Sequence, residues 1–322
     1  MKNRLKIFTR DADVGLGLVA IILFVILSVA STSFFTEYNI YTITRNMALY
    51  AFVGLSQAVV LVIGDMNLSA GAIGGLATIT AGYLMDTKGM PGWIAVIVAL
   101  SVGILCGLIN GVVSSKFGIN AFVVTLATSF IYTGVNFGFT MGNSFTNIPK
   151  SFTIVGKNSL FGIVPYIFIF MLVVLLILYF FYSRTVLGRR LLAIGQNVDA
   201  ARFSGINDKN LKVFGHAMSG FIAALAAVLF ISRMGSAQPA AGQEWLIVSF
   251  AVAIIGGTAL SGGVISPLGI FIGAAILVMI KNGLVLMKTN VYWEQAFLGL
   301  LILVAVGIDT VRTYFSRREL MS

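Results

Sequence analysis

Charge is scarce in this sequence. Only 10% of its 322 residues are Asp, Glu, Lys or Arg and 58% are apolar, where a soluble domain carries roughly a quarter charged residues. A chain with so little polar surface cannot shield its apolar side chains from water, which excludes a soluble globular domain. Cysteine is almost missing as well. The single Cys106 lies in an apolar run, so there is no disulfide framework, CxxC pair or cysteine metal cluster. One histidine, His216, is present, and no phosphate-cradling GxxxxGK[ST] loop occurs. Neither a hydrolytic constellation nor ATP chemistry can be assembled from these residues, so no catalytic group, metal or cofactor is expected on the chain.

What the sequence does contain is glycine, 35 residues of it, and long charge-free apolar runs. Small residues let helix backbones approach closely in a membrane. A helix needs about 20 residues to cross about 30 Å of hydrocarbon. Such runs predict ten spans, near 14–33, 46–64, 68–85, 92–114, 119–141, 163–182, 214–232, 246–262, 268–286 and 292–310. The first follows the opening MKNRLKIFTRDAD and is too long for a signal-peptide core, so it reads as a membrane helix. From Trp245 to Ile280 there are 36 residues without a charge, about 54 Å as one helix, so a break is required. Gly262, Gly263 and Pro267 supply it.

The expected organisation is an all-α integral membrane protein with a short tail at 1–13, a membrane domain at 14–312 and a second tail at 313–322. With the N-terminus in the cytoplasm, fourteen of the 21 Lys and Arg residues fall on the inner side, as the positive-inside rule requires. Both termini are then cytoplasmic. This bias accounts for the net charge of +10 and leaves a nucleic-acid partner little to explain.

The longest inner loop, 183–213, holds six of those fourteen charges and includes GRRLLAIGQNVDAARFSGINDKN at 188–210. Within it Asn197 can cap a helix, Asp199 suits the first turn, Arg202 the last, and Gly205 a left-handed stop. Two turns are marginal alone in water. The segment is either a solvated connection or a helix that docks on something.

Asp199-Ala200-Ala201, with Gly205 following, resembles the EAA-x3-G signature of bacterial ABC importer permeases, with Asp for the usual Glu. The stretches GRRLLAIGQNVDAARFSGI, SAQPAAGQEW (236–245), IIGGTALSGG (254–263), IGDMNLSAG (63–71) and NAFVVTLAT (120–128) resemble the ribose-type monosaccharide permeases, whose members carry ribose, xylose, arabinose, galactose or autoinducer-2. The Ile-x-Leu-Pro ending of the general signature is absent after Gly205. The resemblance implies a type II importer-like fold in a bacterial inner membrane, with Asp199, Ala200, Ala201, Arg202 and Gly205 in the ATPase-coupling loop. It also implies partners: an ATPase dimer carrying ATP and Mg, a periplasmic or lipid-anchored sugar-binding protein, and a second permease subunit, identical or paralogous. Loops 142–162 and 233–245 would face the binding protein.

Neutral hydrogen-bonding groups in the spans, Gln57, Asn67, Ser69, Asn110, Thr125, Thr128, Ser129, Asn136, Ser249 and Thr258, suit a pathway for an uncharged polyol. They equally suit interhelical bonding. Asp65 is the one clear carboxylate at membrane depth and by default suggests function. It is expected to cap the third helix or tether a gate. The alternative reading is a proton-coupled transporter or facilitator that uses Asp65 as a relay. Ile63-Gly64 and Leu68-Ser69-x-Gly71 share a frame with Ile255-Gly256 and Leu260-Ser261-x-Gly263, as two broken-helix elements of an internal repeat would.

Overall fold

The computed structural model describes residues 2–288 and single positions between 293 and 307, with side chains from residue 13 onward. The expected tenth span is described only at those scattered positions, and the second tail lies outside the described residues. The helices run in the order α1 (Lys2–Ala30), α2 (Glu37–Leu61), α3 (Ala70–Asp86), α4 (Gly92–Lys116), α5 (Ala121–Thr140), α6 (Lys150–Lys157), α7 (Tyr166–Arg184), α8 (Val186–Gln196), α9 (Val198–Phe203), α10 (Asp208–Met234), α11 (Trp245–Ile255) and α12 (Pro267–Leu286). A two-residue antiparallel pair, β1 (Ser159–Leu160) and β2 (Val164–Pro165), joins α6 to α7.

At the centre stands α2. Thr36 caps it through Asn39 N, Glu37 complements its first turn, and every residue from Ala51 to Ile63 is buried. Such all-round burial needs neighbours on every side, and α7, α10, α11 and α12 provide them. Beside it α10 packs along α4. The α4 glycines at 103, 107 and 111 lie four apart on one face. A Cβ on Gly107 would run into His216 O, one on Gly103 into Gly220 O, and one on Gly111 would come within 2.7 Å of the Val213 Cα. This close approach of two backbones is what small residues permit in a membrane.

Among the described residues six helices are long and apolar enough to cross a membrane: α4, α5, α7, α10, α12 and Asp13–Ala30 of α1. The expected span at 246–262 is not a full crossing. α11 ends at Ile255 after 11 residues, about 16 Å of helix. The break therefore begins earlier than Gly262, because Gly257 already adopts a left-handed conformation at φ 76°. The chain stays irregular until Ser266, whose hydroxyl accepts from Gly269 N at 2.9 Å and starts α12 with Pro267 in its first turn. Irregular backbone at membrane depth is tolerated only where protein covers it. Here it packs against the end of α2 and the end of α8.

At the other end of α10 the connections fold over one another. Phe145 and Ala237 exchange backbone hydrogen bonds of 2.9 and 2.8 Å, which ties the expected outer loops 142–162 and 233–245 together. α6 lies against the last turns of α10, with Ser232 donating to Phe152 O at 2.8 Å.

Candidate functional site

Two helix endings meet beside the polar segment. At the end of α2, Gly64 N donates to Leu61 O and Asp65 N to Val60 O, at 2.9 and 3.2 Å, with Gly64 at φ 78°. At the end of α11, Gly257 N donates to Ile254 O and Thr258 N to Ala253 O, at 2.9 and 3.0 Å, with Gly257 at φ 76°. Both are the paired closure that a left-handed glycine allows. The equivalence is one residue away from the frame read in the sequence: Gly64 matches Gly257, and Asp65 matches Thr258. The Gly256-Gly257 doublet concealed this shift, since only one glycine of the two takes positive φ. Across the junction Gly263 N donates to Val62 O at 2.8 Å.

The polar segment folds as α8, α9 and the first turns of α10. Asn197 caps α9 by accepting from Ala200 N at 2.9 Å, and Gly205 ends it at φ 76°. Arg202 reaches forward to Asp208 with two hydrogen bonds of 2.9 and 2.8 Å and lies 3.6 Å from Asp199. The Asp208 carboxylate raises the Arg202 guanidinium above its ordinary value. Ala201 is buried, Asp199 and Ala200 are exposed, and Phe203 is 93% exposed. Leu191 and Ile194 anchor α8 in the core. At its end a Cβ on Gly195 would overlap Val62 O and Gly263 N. α8 therefore rests directly on the end of α2 and on the irregular segment that follows α11.

Asp65 does not cap α3. The N-cap of that helix is Ser69, and it makes no side-chain cap bond. Instead Asp65 crosses to α10, where Lys212 Nζ lies 2.8 Å from Oδ1 and His216 Nε2 3.3 Å from Oδ2. Burial opposes its charge, but hydrogen bonds from His216 and Lys212 outweigh that and hold the carboxyl in this connection below its ordinary value. Asp208, Lys212 and His216 are four apart on one face of α10, so charges alternate from Arg202 to Asp65. That spacing on an otherwise apolar helix was a sequence signal for Lys212 and His216 as partners. Asp65, Arg202, Asp208 and Lys212 line a cavity of about 560 Å3 with Ser114, Ser115 and Asn120.

The neutral candidates separate into groups. Asn110 Nδ2 donates to Ser69 Oγ at 2.7 Å, Ser69 Oγ to Asn67 Oδ1 at 2.7 Å, and Asn67 Nδ2 to Ser219 Oγ at 2.9 Å. Tyr132 Oη extends this chain to α5, 3.5 Å from Asn110 Oδ1. Ser219 and Tyr132 were missed in the sequence because a lone Ser or Tyr in an apolar helix carries no pattern. Thr125 Oγ1 donates to Ala121 O at 2.7 Å, and Thr128 Oγ1 to Thr125 O at 3.2 Å. Asn136 donates to Pro239 O at 2.9 Å and lines a second cavity, of about 140 Å3, with Ser129, Thr133 and Gln243. Ser249 bonds back to Leu246 O, while Gln57 and Thr258 are buried with side-chain polar atoms that meet no partner among the described residues.

Residues 39–306 match the model of a permease family described as the permease component of the branched-chain amino acid transport system. The chain belongs to this permease family. It is 33% identical over 293 residues to the ribose import permease protein of Haemophilus influenzae, covering 90% of each chain. It is 31% identical to the fructose import permease protein of Rhizobium meliloti, over 95% of this chain and 88% of that one. The D-allose transport system permease protein of Escherichia coli is 33% identical over 91% of this chain and 89% of its own. No solved structure matches. The permease is thus a multi-pass membrane protein.

Proposed function

We propose that this permease is the membrane subunit of an ATP-driven importer for a monosaccharide or similar small neutral polyol in a bacterial inner membrane. The reading is carried by one observation: α9, a capped helix with an exposed Asp199-Ala200 face and an exposed Phe203, continues directly from α8, whose Gly195 packs against the end of α2 and the irregular segment after α11. The relatives named for ribose, fructose and allose support the substrate class. An ATPase dimer, which carries ATP and Mg, docks on α9. A sugar-binding protein delivers substrate to the tied loops at the far end of α10. Both termini are cytoplasmic, and two permease subunits, identical or paralogous, face each other. ATP-driven closure of the ATPase pair moves the paired α9 helices, and Gly195 passes that movement to the breaks at 62–65 and 256–263.

The proton-relay alternative is disfavoured because the Asp65 carboxylate is engaged by Lys212 and His216, so a proton there would have to break an ion pair. The test is reconstitution of the permease with the ATPase and binding protein encoded beside it. Uptake of labelled ribose, fructose or allose should require ATP and both partners. Uptake driven by a proton gradient in their absence overturns the reading.

A further inference from the structure

At the far end of α10 from α9 lies a group of cations that the import reading does not use. Arg45 on α2 and Arg233 in the last turn of α10 are half-buried, and the Nε of each is buried without a partner. Among the described residues neither guanidinium makes a hydrogen bond or an ion pair. Arg45 lies over the ring of Tyr41 at 5.2 Å, Tyr41 Oη donates to Lys157 O at 2.8 Å, and one residue before Lys157 a Cβ on Gly156 would run into the Arg233 backbone N, so α6 brings the two arginines to one corner of the fold. Lys157 Nζ packs beside Gly235, directly after α10, 2.9 Å from where a Cβ would stand. Lys281 Nζ is 3.0 Å from Tyr50 Oη and 3.6 Å from Glu244, whose side chain is 71% exposed.

Two guanidiniums of like charge, taken partly out of water and given no acceptor, repel each other and lack the bonds that offset desolvation. A multi-oxygen anion between them removes both costs, since guanidinium forks match phosphate geometry two bonds at a time. The helix end and the tyrosines mark the membrane–water boundary, and at that depth the abundant oxyanion is the lipid phosphate. We propose that Arg45 and Arg233 bind the phosphate of an anionic phospholipid headgroup, with Lys157 and Lys281 at the edge of the site.

The full-length permease is purified and its thermal midpoint read in phosphatidylcholine vesicles, with and without phosphatidylglycerol, and in detergent with inorganic phosphate. Phosphatidylglycerol should raise the midpoint, and inorganic phosphate should do so less. The variant Arg45→Gln/Arg233→Gln should lose that response and retain about tenfold less phosphatidylglycerol through purification. In phosphatidylcholine alone it should melt at or above the unsubstituted protein, because a buried repulsion is gone. A merely structural pair of arginines would give a lower midpoint. If the double variant does not fold, native mass spectrometry of the unsubstituted protein decides, by preference for phosphatidylglycerol over phosphatidylethanolamine. Three results overturn the proposal: no such preference, a phosphatidylglycerol response that survives both substitutions, or a full response to inorganic phosphate with none to the lipid.

Discussion

Replacing Asp65 by asparagine tests the link between the proposed coupling segment and the end of α2. The Asp65–Lys212 pair spans 2.8 Å with side chains 10% and 23% exposed. It therefore lies between an exposed ion pair, worth up to about 1 kcal/mol, and a buried one whose breakage costs about 3–5 kcal/mol. Asparagine retains an acceptor, so a loss of about 2 kcal/mol is expected, roughly a thirtyfold change in any gate equilibrium in which one state keeps the pair and the other breaks it. In proteoliposomes containing all three components, Asp65→Asn should lower sugar uptake about tenfold or more and raise the ATP hydrolysed per sugar, with expression unchanged. Exchanging only Asp65→Lys with Lys212→Asp places a carboxylate four residues from Asp208, a like-charge spacing on a helix. That pair of substitutions should restore uptake in part. Adding Asp208→Asn removes that like-charge pair while leaving an acceptor for Arg202. Uptake should rise further. Full transport by Asp65→Asn at normal expression refutes the reasoning, and full rescue by the first exchange alone refutes the four-residue chain.

The remaining predictions separate docking, scaffold and pathway. Gly205→Val puts a β-branched residue at φ 76°, a conformation costing about 1–2 kcal/mol for an ordinary side chain and more for a branched one. ATPase binding in a pull-down should fall while membrane insertion is unchanged. Asn110→Ala removes the donor to Ser69 Oγ and should lower thermal stability by about 1 kcal/mol; near-normal transport would mark the Asn67, Ser69 and Asn110 chain as interhelical bonding, and abolished transport in a stable protein would mark it as pathway. Gln57→Leu removes an amide whose oxygen and nitrogen both lack partners. It should raise the melting temperature, since an unsatisfied buried amide costs about 1–3 kcal/mol, and a simultaneous loss of uptake would place Gln57 on the sugar's route.

The local chemistry of the coupling segment was legible because caps are short-range. Asn197, Asp199, Arg202 and Gly205 each act on backbone groups or charges within a few residues, and each occupies the position its side chain predicts. The apolar runs located the long helices for a similar reason, since length and hydropathy are local sums. The end of α11 was not legible. Gly256, Gly257, Gly262 and Gly263 all qualify as breakers in sequence, and the helix stops at the first pair, where a Cβ on Gly256 would meet the backbone of Gly269 and Ile270 on α12, a contact the sequence does not display. Asp65 shows the same limit. Its partners are 147 and 151 residues away, so the residue was marked as functional while its role as a cap was misread.

This distribution of legible and illegible features follows from where bonds close. The caps and stop of α9, the proposed coupling helix, are specified by its own sequence. The breaks are specified by contact with one another, through Gly263 N on Val62 O, and by a glycine at 195 that leaves no room for a side chain. A backbone-to-backbone contact without intervening side chains has no rotamers to absorb displacement. A shift of α8 at Gly195 therefore reaches residues 62 and 263 together, and the Arg202 to Asp65 charges cross between α9, α10 and the first of these breaks. Stiffness in the backbone contact and directionality in the charges are complementary requirements for transmitting movement over one helix turn, and this junction meets both with residues drawn from three distant parts of the chain.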